Sequence, residues 1–356
     1  MKTVLLATWQ KGEEIMKKVI MMMLAVILAM AMLVGCGATD SNAPADDGNA
    51  DMKVYELKAS SGDNEDYPTV IALYKFAELL EEKSEGRITV DVYAGGALYG
   101  DQREEAEAVK NGTIAFSVPQ VSVLSTWAPE MDFFSMPYLL TSIEHAETVL
   151  DSDVAAELFG KLNEYGFEVL APFTGGGMRS FYNSKQPIET ADDLKGMKFR
   201  TPSSAILNEA MGELGAIPTP VSWGELYTTL MQKGVDGAEH GATDVYGSNF
   251  FEACKYYSLD EHTYELIPLI VGTSTMESLP ADLQEVVRAC AKEALVYNRQ
   301  VAKEQTDTAI AGLVENGMVI NEVDKSSFIA AVEATNQKYA DQLGRNYYDA
   351  IVAMGS

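Results

Sequence analysis

The sequence predicts an α/β fold, and three observations support this. Strand patterns over residues 53–59, 87–94 and 113–118 alternate with helix patterns over residues 68–83 and 101–110. A β-α-β-α-β run of this kind builds a parallel sheet with right-handed crossovers. The chain has 356 residues, of which 47% are apolar. That is enough for the core of one large or two medium domains.

The rest of the chain continues the alternation of strands and helices. Further strands are predicted at 167–173, 180–184, 197–200, 217–221, 235–240, 264–272 and 318–323, and further helices at 142–150, 154–165, 203–214, 223–232 and 326–343. Between two of the strands, the glycines at 175–177 predict a turn where the backbone approaches something closely. A helix pattern that begins at Ser278-Leu279-Pro280 continues to Asn316 with hardly a breaker, a length suited to bracing two domains from outside.

The charge of the chain excludes two classes of partner. Its 53 acidic residues outnumber its 26 basic residues, which gives a formal net charge of −27 at pH 7. Such a charge argues against binding to nucleic acid or to an anionic membrane surface. If the ligand is an anion, the overall field repels it, so a local cluster of arginines and backbone amides must capture it.

The N-terminus carries a pattern typical of bacterial lipoprotein signal peptides. Lys17 and Lys18 precede an apolar run over residues 19–34, and Cys36 follows as the lipidated cysteine. The alternative is a transmembrane anchor, but the run is shorter than the roughly 20 residues that a membrane span needs. We therefore expect a protein outside the cytoplasm, attached to the cell membrane only through lipid on Cys36.

Two segments flank this signal peptide. Residues 1–15 fit no part of a signal peptide, and we predict that translation starts at Met16. Residues 37–52 are rich in Ala, Asp, Asn, Gly and Pro and have nothing to bury, so they are predicted to form a flexible tether.

Cysteine and histidine usage predicts no metal site. Cys254 and Cys290 form either a disulfide, as exported proteins allow, or two buried free thiols. No Cys-x-x-Cys or His-x-x-x-His spacing is present in the sequence. We expect no cofactor.

The main candidate binding residue is Arg200. Thr190 and Asp193 form a capping-box pattern for a short helical turn, and a strand then runs over residues 197–200 until Pro202 ends it. Arg200 thus lies at the carboxyl end of a strand, the edge where open α/β sheets bind ligands. A guanidinium at that edge is suited to clamp a carboxylate with two hydrogen bonds. The alternative is an ion pair on the surface.

Other candidates follow neighbouring strands. Arg179 lies where the chain leaves the glycine turn, and Trp223 lies at the start of a helix opened by the capping-box pattern Ser222–Glu225. Trp223 either forms the floor of a ligand site or closes the edge of a domain. Glu239 and His240 lie at the exit of one strand, and Ser60 begins the polar loop after the first. His240 has no matching metal ligands, so it is interpreted as a hydrogen-bonding group rather than a catalyst.

Several separated motifs resemble a known family. They are the segments 76–84 and 86–88, then Asp192-Asp193-Leu194-Lys195-Gly196-Met197-Lys198-Phe199-Arg200-Thr201-Pro202, and then the segments 234–239 and 278–284. In this order they resemble the solute-binding proteins of tripartite ATP-independent periplasmic (TRAP) transporters, from about Lys53 to the C-terminus.

The resemblance implies a periplasmic-binding-protein-like fold in which two α/β domains close over a ligand like a hinged trap. It implies one domain at 53–175 and 265–304, a second at 176–264 and 305–350, and a long helix that spans both. It further implies that Arg200 makes the main salt bridge to a ligand carboxylate, that Arg179 is the second arginine of the site, and that Trp223 supplies a ring. We expect a monomer whose partners are a small organic acid and the permease subunits of a TRAP transporter.

Three positions depart from the pattern expected for a sialic-acid binder. They are Gln120, Ser203 and His240, and each changes the hydrogen-bonding capacity of the site wall. The substrate is therefore not implied, and sugar acids, dicarboxylates, keto acids and aromatic acids all stay open.

Two other functions compete with transport. A ligand-binding module that reports to a sensor kinase would have the same sequence features. A lipoprotein enzyme that acts on organic acids would need catalytic residues, but the sequence contains no Gly-x-Ser-x-Gly, Ser-x-x-Lys or His-Glu-x-x-His motif. We therefore predict a binding protein without catalytic residues.

Overall fold

The computed structural model of the protein describes residues 53–202 and 204–355. The predictions for the signal peptide, Cys36, the tether and Ser203 lie outside the described residues. Within the described ranges, no helix is long and apolar enough to cross a membrane.

The strands of the described chain form two sheets. In chain order they are β1 Tyr55–Ser60, β2 Ile88–Tyr93, β3 Phe116–Ser117, β4 Phe167–Ala171, β5 Thr174–Asn183, β6 Lys198–Thr201, β7 Ile217–Pro220, β8 Gly237–His240, β9 Tyr256–Leu266, β10 Leu269–Gly272 and β11 Val319–Glu322. The first sheet has the order β2-β1-β3-β10-β4, and the second has the order β11-β9-β5-β8-β6-β7. This two-sheet α/β architecture confirms the predicted fold class.

The first sheet contains the predicted parallel run. β1 pairs in parallel with both β2 and β3, as a β-α-β-α-β segment requires. β10 returns from far along the chain and pairs antiparallel with β3 and β4, which completes the sheet. In the second sheet, β6 pairs in parallel with both β7 and β8, while β5 pairs antiparallel with β8 and β9.

Helices cover the sheets. The α-helices are Pro68–Lys83, Gln102–Lys110, Val121–Leu124, Ile143–Leu150, Asp153–Gly160, Ala205–Glu213, Leu226–Met231, Ala242–Gly247, Thr273–Ser278, Ala281–Glu315, Lys325–Leu343 and Arg345–Met354. Short 3-10 helices lie at Pro129–Ser135, Lys161–Tyr165, Ala191–Leu194, Trp223–Glu225 and Phe250–Glu252.

The long helix Ala281–Glu315 contributes to two separate hydrophobic cores. Its first half places Leu283 and Val287 in the core beneath the first sheet. Its second half places Ala309 and Leu313 in a core beside the second sheet. The helix is 35 residues long and spans both parts of the fold, as predicted.

The two cysteines are buried free thiols. Cys290 lies in the core beneath the first sheet, and Cys254 lies in the core beside the second. Burial raises the pKa of the Cys254 thiol to about 12 and that of Cys290 to about 11. These thiols are therefore protonated and unreactive at neutral pH, which decides between the two alternatives that the sequence left open.

Three local predictions were wrong. The glycine run is part of strand β5 rather than a turn, and the predicted strand 264–272 is the end of β9 followed by β10. Trp223 opens a short 3-10 helix without a side-chain cap, because the Ser222 hydroxyl donates to the Glu225 carboxylate at 2.8 Å instead of bonding the backbone.

The glycines of β5 allow a close approach by other side chains. A Cβ on Gly175 would lie 1.9 Å from the Tyr67 hydroxyl oxygen, and one on Gly176 would lie 2.1 Å from Thr243 Oγ1. The strand therefore needs glycine at both positions, because any side chain would collide with its neighbours.

Candidate functional site

A cleft of about 480 Å³ lies at the carboxyl ends of parallel strands from both sheets. The loops after β1 and β2 contribute one set of its lining residues, which includes Gly62, Asp63, Gly95 and Gly96. The ends of β6, β7 and β8 contribute another set, which includes Arg200, Pro202, Val221, Trp223 and His240. The volume and the position are those of a small-molecule site in an α/β protein.

Arg200 is a buried cation with no carboxylate partner among the described residues. Its side chain is held from one side, since Nε donates to the Val221 carbonyl oxygen at 2.9 Å and Nη1 donates to His240 Nε2 at 3.1 Å. The residue is 4% exposed and lines the cleft. Burial lowers the pKa of Arg200, because nothing nearby fully balances its charge. An anion in the cleft would supply the missing charge.

His240 fixes the orientation of Arg200 as a neutral ring. Burial, together with the charges of Arg179 and Arg200, holds the pKa of His240 well below its usual range. Nε2 accepts from Arg200, so the proton lies on Nδ1, 3.0 Å from the Tyr182 hydroxyl. The ring of Trp223 packs beside His240 with centroids 5.1 Å apart and also lines the cleft.

Arg179 lines the cleft but its charge is already paired. Nε and Nη2 donate to the two carboxylate oxygens of Glu239 at 2.7 and 2.8 Å, and Nη1 donates to Glu265. Burial works against its charge, but Glu239 and Glu265 raise the pKa of Arg179 well above the usual value. The two arginines therefore differ: Arg179 balances buried carboxylates of the protein, while Arg200 does not.

A histidine continues this charged network away from the cleft. His262 contacts Asp260 at 2.8 Å and Glu239 at 3.2 Å. Burial lowers the pKa of His262, but these two carboxylates outweigh burial and raise it to about 9. His262 is therefore charged at neutral pH and helps Arg179 keep the pKa of Glu239 well below the usual range against the effect of burial.

Two further acidic residues line the cleft. Asp63 is 7% exposed and Asp244 is 3% exposed, and Asp244 Oδ2 has no hydrogen-bond partner within the described ranges. Burial, followed by the charge of Glu265, raises the pKa of Asp63 to about 7 and that of Asp244 well above its usual value. These side chains can donate hydrogen bonds when they are protonated.

The structure brings five of the sequence-predicted residues to the cleft, namely Gln120, Arg179, Arg200, Trp223 and His240. Gln120 Nε2 donates to Glu265 at 2.6 Å, so its amide is held by the same carboxylate as Arg179. Ser60 and Glu239 are fully buried and do not line the cleft.

The sequence reasoning missed Asp63, Asp244 and Glu265. A charged residue in a buried strand pattern was the signal for Glu265, since burial of an unpaired carboxylate is costly. Asp63 lies in the polar loop after β1, and Asp244 follows the end of β8 by four residues, so both lie just beyond the carboxyl ends of strands, at the edge of the sheets where Arg200 also lies.

Glu105 is buried close to this region and gives a stability prediction. It is 1% exposed, and neither of its carboxylate oxygens has a hydrogen-bond partner within residues 53–202 and 204–355. Burial raises the pKa of Glu105 to about 8, although the Ser60 hydroxyl opposes this effect. The folded state therefore binds a proton that the unfolded state releases at a lower pH, and stability is lost as the pH rises between these two values.

We expect Glu105→Gln to stabilise the protein at high pH. The variant should match the parent near pH 4 and gain as much as about 4 kcal/mol in free energy of unfolding at pH 8. Urea denaturation at several pH values measures this difference. The control is Glu104→Gln, on the exposed face of the same helix, which should show no such trend. A pH-independent effect of Glu105→Gln would contradict the prediction.

Comparison with known proteins confirms the family resemblance. The family model described as "Bacterial extracellular solute-binding protein, family 7" matches residues 59–343. The 2,3-diketo-L-gulonate-binding periplasmic protein YiaO of Escherichia coli (strain K12) is 31% identical over 263 residues, which cover 74% of this chain and 80% of that protein. The C4-dicarboxylate-binding protein DctB of Bacillus subtilis (strain 168) is 26% identical and is covered to 81%.

Solved structures show the same fold. A TRAP periplasmic solute-binding protein from Sulfitobacter sp. NAS-14.1, with bound β-D-galacturonate, superposes with a TM-score of 0.80 at 28% identity, over 84% of this chain and 99% of that one. A second, from Polaromonas sp. JS666 with bound D-erythronate, has a TM-score of 0.81 at 29% identity, over 84% and 98% of the two chains. The chain therefore belongs to the bacterial extracellular solute-binding proteins of family 7, a family of TRAP transport proteins that bind substrates outside the cytoplasm.

Proposed function

We propose that the protein captures a small organic acid in the cleft through Arg200 and delivers it to the permease subunits of a TRAP transporter. The observation that carries the proposal is the buried guanidinium of Arg200, which is held by Val221 and His240 and lacks a carboxylate partner among the described residues. A ligand carboxylate would balance this charge with two hydrogen bonds. The two solved relatives have β-D-galacturonate and D-erythronate bound, and both ligands are small organic acids.

We further propose how the protein works. It acts as a monomer held at the outer face of the cell membrane by lipid on Cys36, and it binds its ligand without chemical change. The part of the fold built on the first sheet and the part built on the second sheet close over the acid. Trp223 packs against the acid, and Arg179 supports the site by binding Glu239 and Glu265. The strong negative charge of the chain makes capture depend on the local positive charge at Arg200.

A thermal-shift screen tests the proposal. We expect at least one member of a set of sugar acids, dicarboxylates, keto acids and aromatic acids to raise the melting temperature of the purified protein. A ligand at about 100 times its Kd should raise it by about 5 °C, because binding to the folded state alone adds to its stability. Neutral sugars of matched size are the control. If neutral sugars stabilise the protein and no acid does, the carboxylate clamp is wrong.

A further inference from the structure

The wall of the cleft carries two acidic side chains. Asp63 follows β1 of the first sheet, and Asp244 follows β8 of the second sheet. Both residues are more than nine-tenths buried and line the cleft. Asp244 Oδ2 has no hydrogen-bond partner in the part of the chain that the structure describes. The side chain of Asp63 makes no hydrogen bond there either: its backbone N–H donates to Ser61 Oγ and its carbonyl oxygen accepts from the Gly95 N–H, while the carboxyl group stays unbonded. Such groups call for a ligand that can bond with them.

The charges around the cleft leave room for one ligand carboxylate. Glu239 and Glu265 balance the charge of Arg179, and Asp260 and Glu239 balance the charge of His262. Arg200 is the remaining buried cation that lines the cleft within residues 53–202 and 204–355. A second ligand carboxylate would be buried beside the Asp63 and Asp244 carboxyl groups without a buried cation to balance it, which is costly in a site with little water.

One other arginine lines the cleft, but it is placed at the surface. The side chain of Arg103 is 59% exposed and lies 3.5 Å from the Glu107 carboxylate. A cation that is solvated and already paired contributes little to binding. Arg103 therefore would not balance a second ligand carboxylate.

We propose that the cleft selects acids that carry one carboxylate and several hydroxyl groups, that is sugar acids, over dicarboxylates, and that Asp63 and Asp244 set this selectivity. This inference rests on the proposed function, because Arg200 must hold the carboxylate. The hydroxyl groups then reach Asp63 and Asp244, which accept hydrogen bonds from them and, when protonated, donate to them. A dicarboxylate would instead place its second negative charge in the cleft with no buried cation to balance it.

Calorimetric titration of the purified protein with D-erythronate and with succinate tests the inference. Both acids have four carbon atoms, so the comparison separates the effect of hydroxyl groups against a second carboxylate from the effect of size. We expect erythronate to bind at least about tenfold more tightly than succinate at pH 7.5, equivalent to about 1.4 kcal/mol. D-Galacturonate, a longer acid with one carboxylate, should also bind more tightly than succinate.

Variants identify the residues responsible. Asp63→Asn should reduce the preference for erythronate over succinate by a factor of about ten at pH 7.5, because the Asp63 carboxyl, with a pKa of about 7, is largely ionised there and the amide removes this charge while keeping the shape. Asp244→Leu should reduce the preference by a similar factor, because it removes a group that bonds with the ligand hydroxyls. Asp132→Asn is the matched control, since Asp132 is also a buried aspartate with an unpartnered oxygen but does not line the cleft. It should leave the preference unchanged.

The outcomes separate the inference from the function on which it rests. If succinate binds as tightly as erythronate and Arg200→Ala abolishes both, the proposed function holds and the selectivity is overturned. The selectivity is also overturned if the preference for erythronate survives both the Asp63 and the Asp244 variant in folded protein. It is likewise overturned if succinate binds tightly to the parent and Arg103→Ala removes that binding. If no acid binds at all, the proposed function itself fails.

Discussion

Arg200→Ala is expected to lower the affinity for an acid ligand by about 100-fold or more, because it removes one partner of a buried charge pair. The ligand carboxylate would then be buried in a protein of net charge −27 without its cation. The other buried arginine of the cleft cannot take over, because Glu239 and Glu265 hold its guanidinium. Calorimetric titration with the best acid from the thermal-shift screen measures the loss.

The fold should survive this change. Arg200 has no carboxylate partner among residues 53–202 and 204–355, so its removal leaves no protein charge unpaired. The melting temperature without ligand should therefore stay within about 2 °C of the parent, as expected for a change of less than about 1 kcal/mol. A large drop would mean that Arg200 is mainly structural.

Arg200→Lys distinguishes a planar clamp from a simple positive charge. A lysine keeps the charge but loses the fork that donates to Val221 and His240 and still has further N–H groups to offer a ligand. We expect nearly the full loss of affinity seen with alanine. Normal binding by the lysine variant would show that the two-hydrogen-bond clamp is wrong.

Local signals in the sequence predicted much of the fold. The helix Pro68–Lys83 was predicted to the residue because Pro68 opens it and a Ser-Glu-Gly run follows. Asp101 caps its helix by accepting from two backbone N–H groups, and the capping box of Thr190 and Asp193 is formed. Each signal acts within a few residues, so it is readable without knowledge of the rest of the chain.

The sequence-based predictions were wrong where residues distant in the chain determine the local structure. The glycines of β5 suggested a turn, yet Tyr67 and Thr243 press against that segment and β9 pairs with it as a strand. The pattern at Ser222 suggested a capping box, but its hydroxyl bonds the Glu225 side chain instead. In both cases a packing or hydrogen-bonding partner other than the expected one determines the structure, and the local sequence pattern does not show which partner is chosen.

The candidate site was predicted in position but not in charge pairing. Arg200 could be placed because a strand of known direction fixes where its last residues lie. The pairing of Arg179 with Glu239 and Glu265 joins residues 60 and 86 positions apart, so local sequence patterns carried no trace of it. Two arginines that the sequence placed in the same site therefore have different electrostatic roles.

This difference predicts a large structural effect at Arg179. Arg179→Met keeps much of the side-chain volume but leaves the buried carboxylates of Glu239 and Glu265 without their shared cation. We expect the free energy of unfolding to fall by about 3–5 kcal/mol, the usual cost of breaking one side of a buried ion pair. Urea denaturation of the protein without ligand, at neutral pH, measures this loss.

A surface pair provides the matched control. Arg288 binds both carboxylate oxygens of Glu168 at 2.7 and 3.0 Å, but its side chain is 45% exposed. Arg288→Met removes a similar two-point contact and should cost less than about 1 kcal/mol, because water takes over the hydrogen bonds. If Arg179→Met lowered the free energy of unfolding as little as Arg288→Met, the carboxyl groups of Glu239 and Glu265 would have to be neutral in the unmodified protein. Arg179 would then be free to bind a ligand beside Arg200. The comparison therefore tests directly whether the cleft holds one available guanidinium or two.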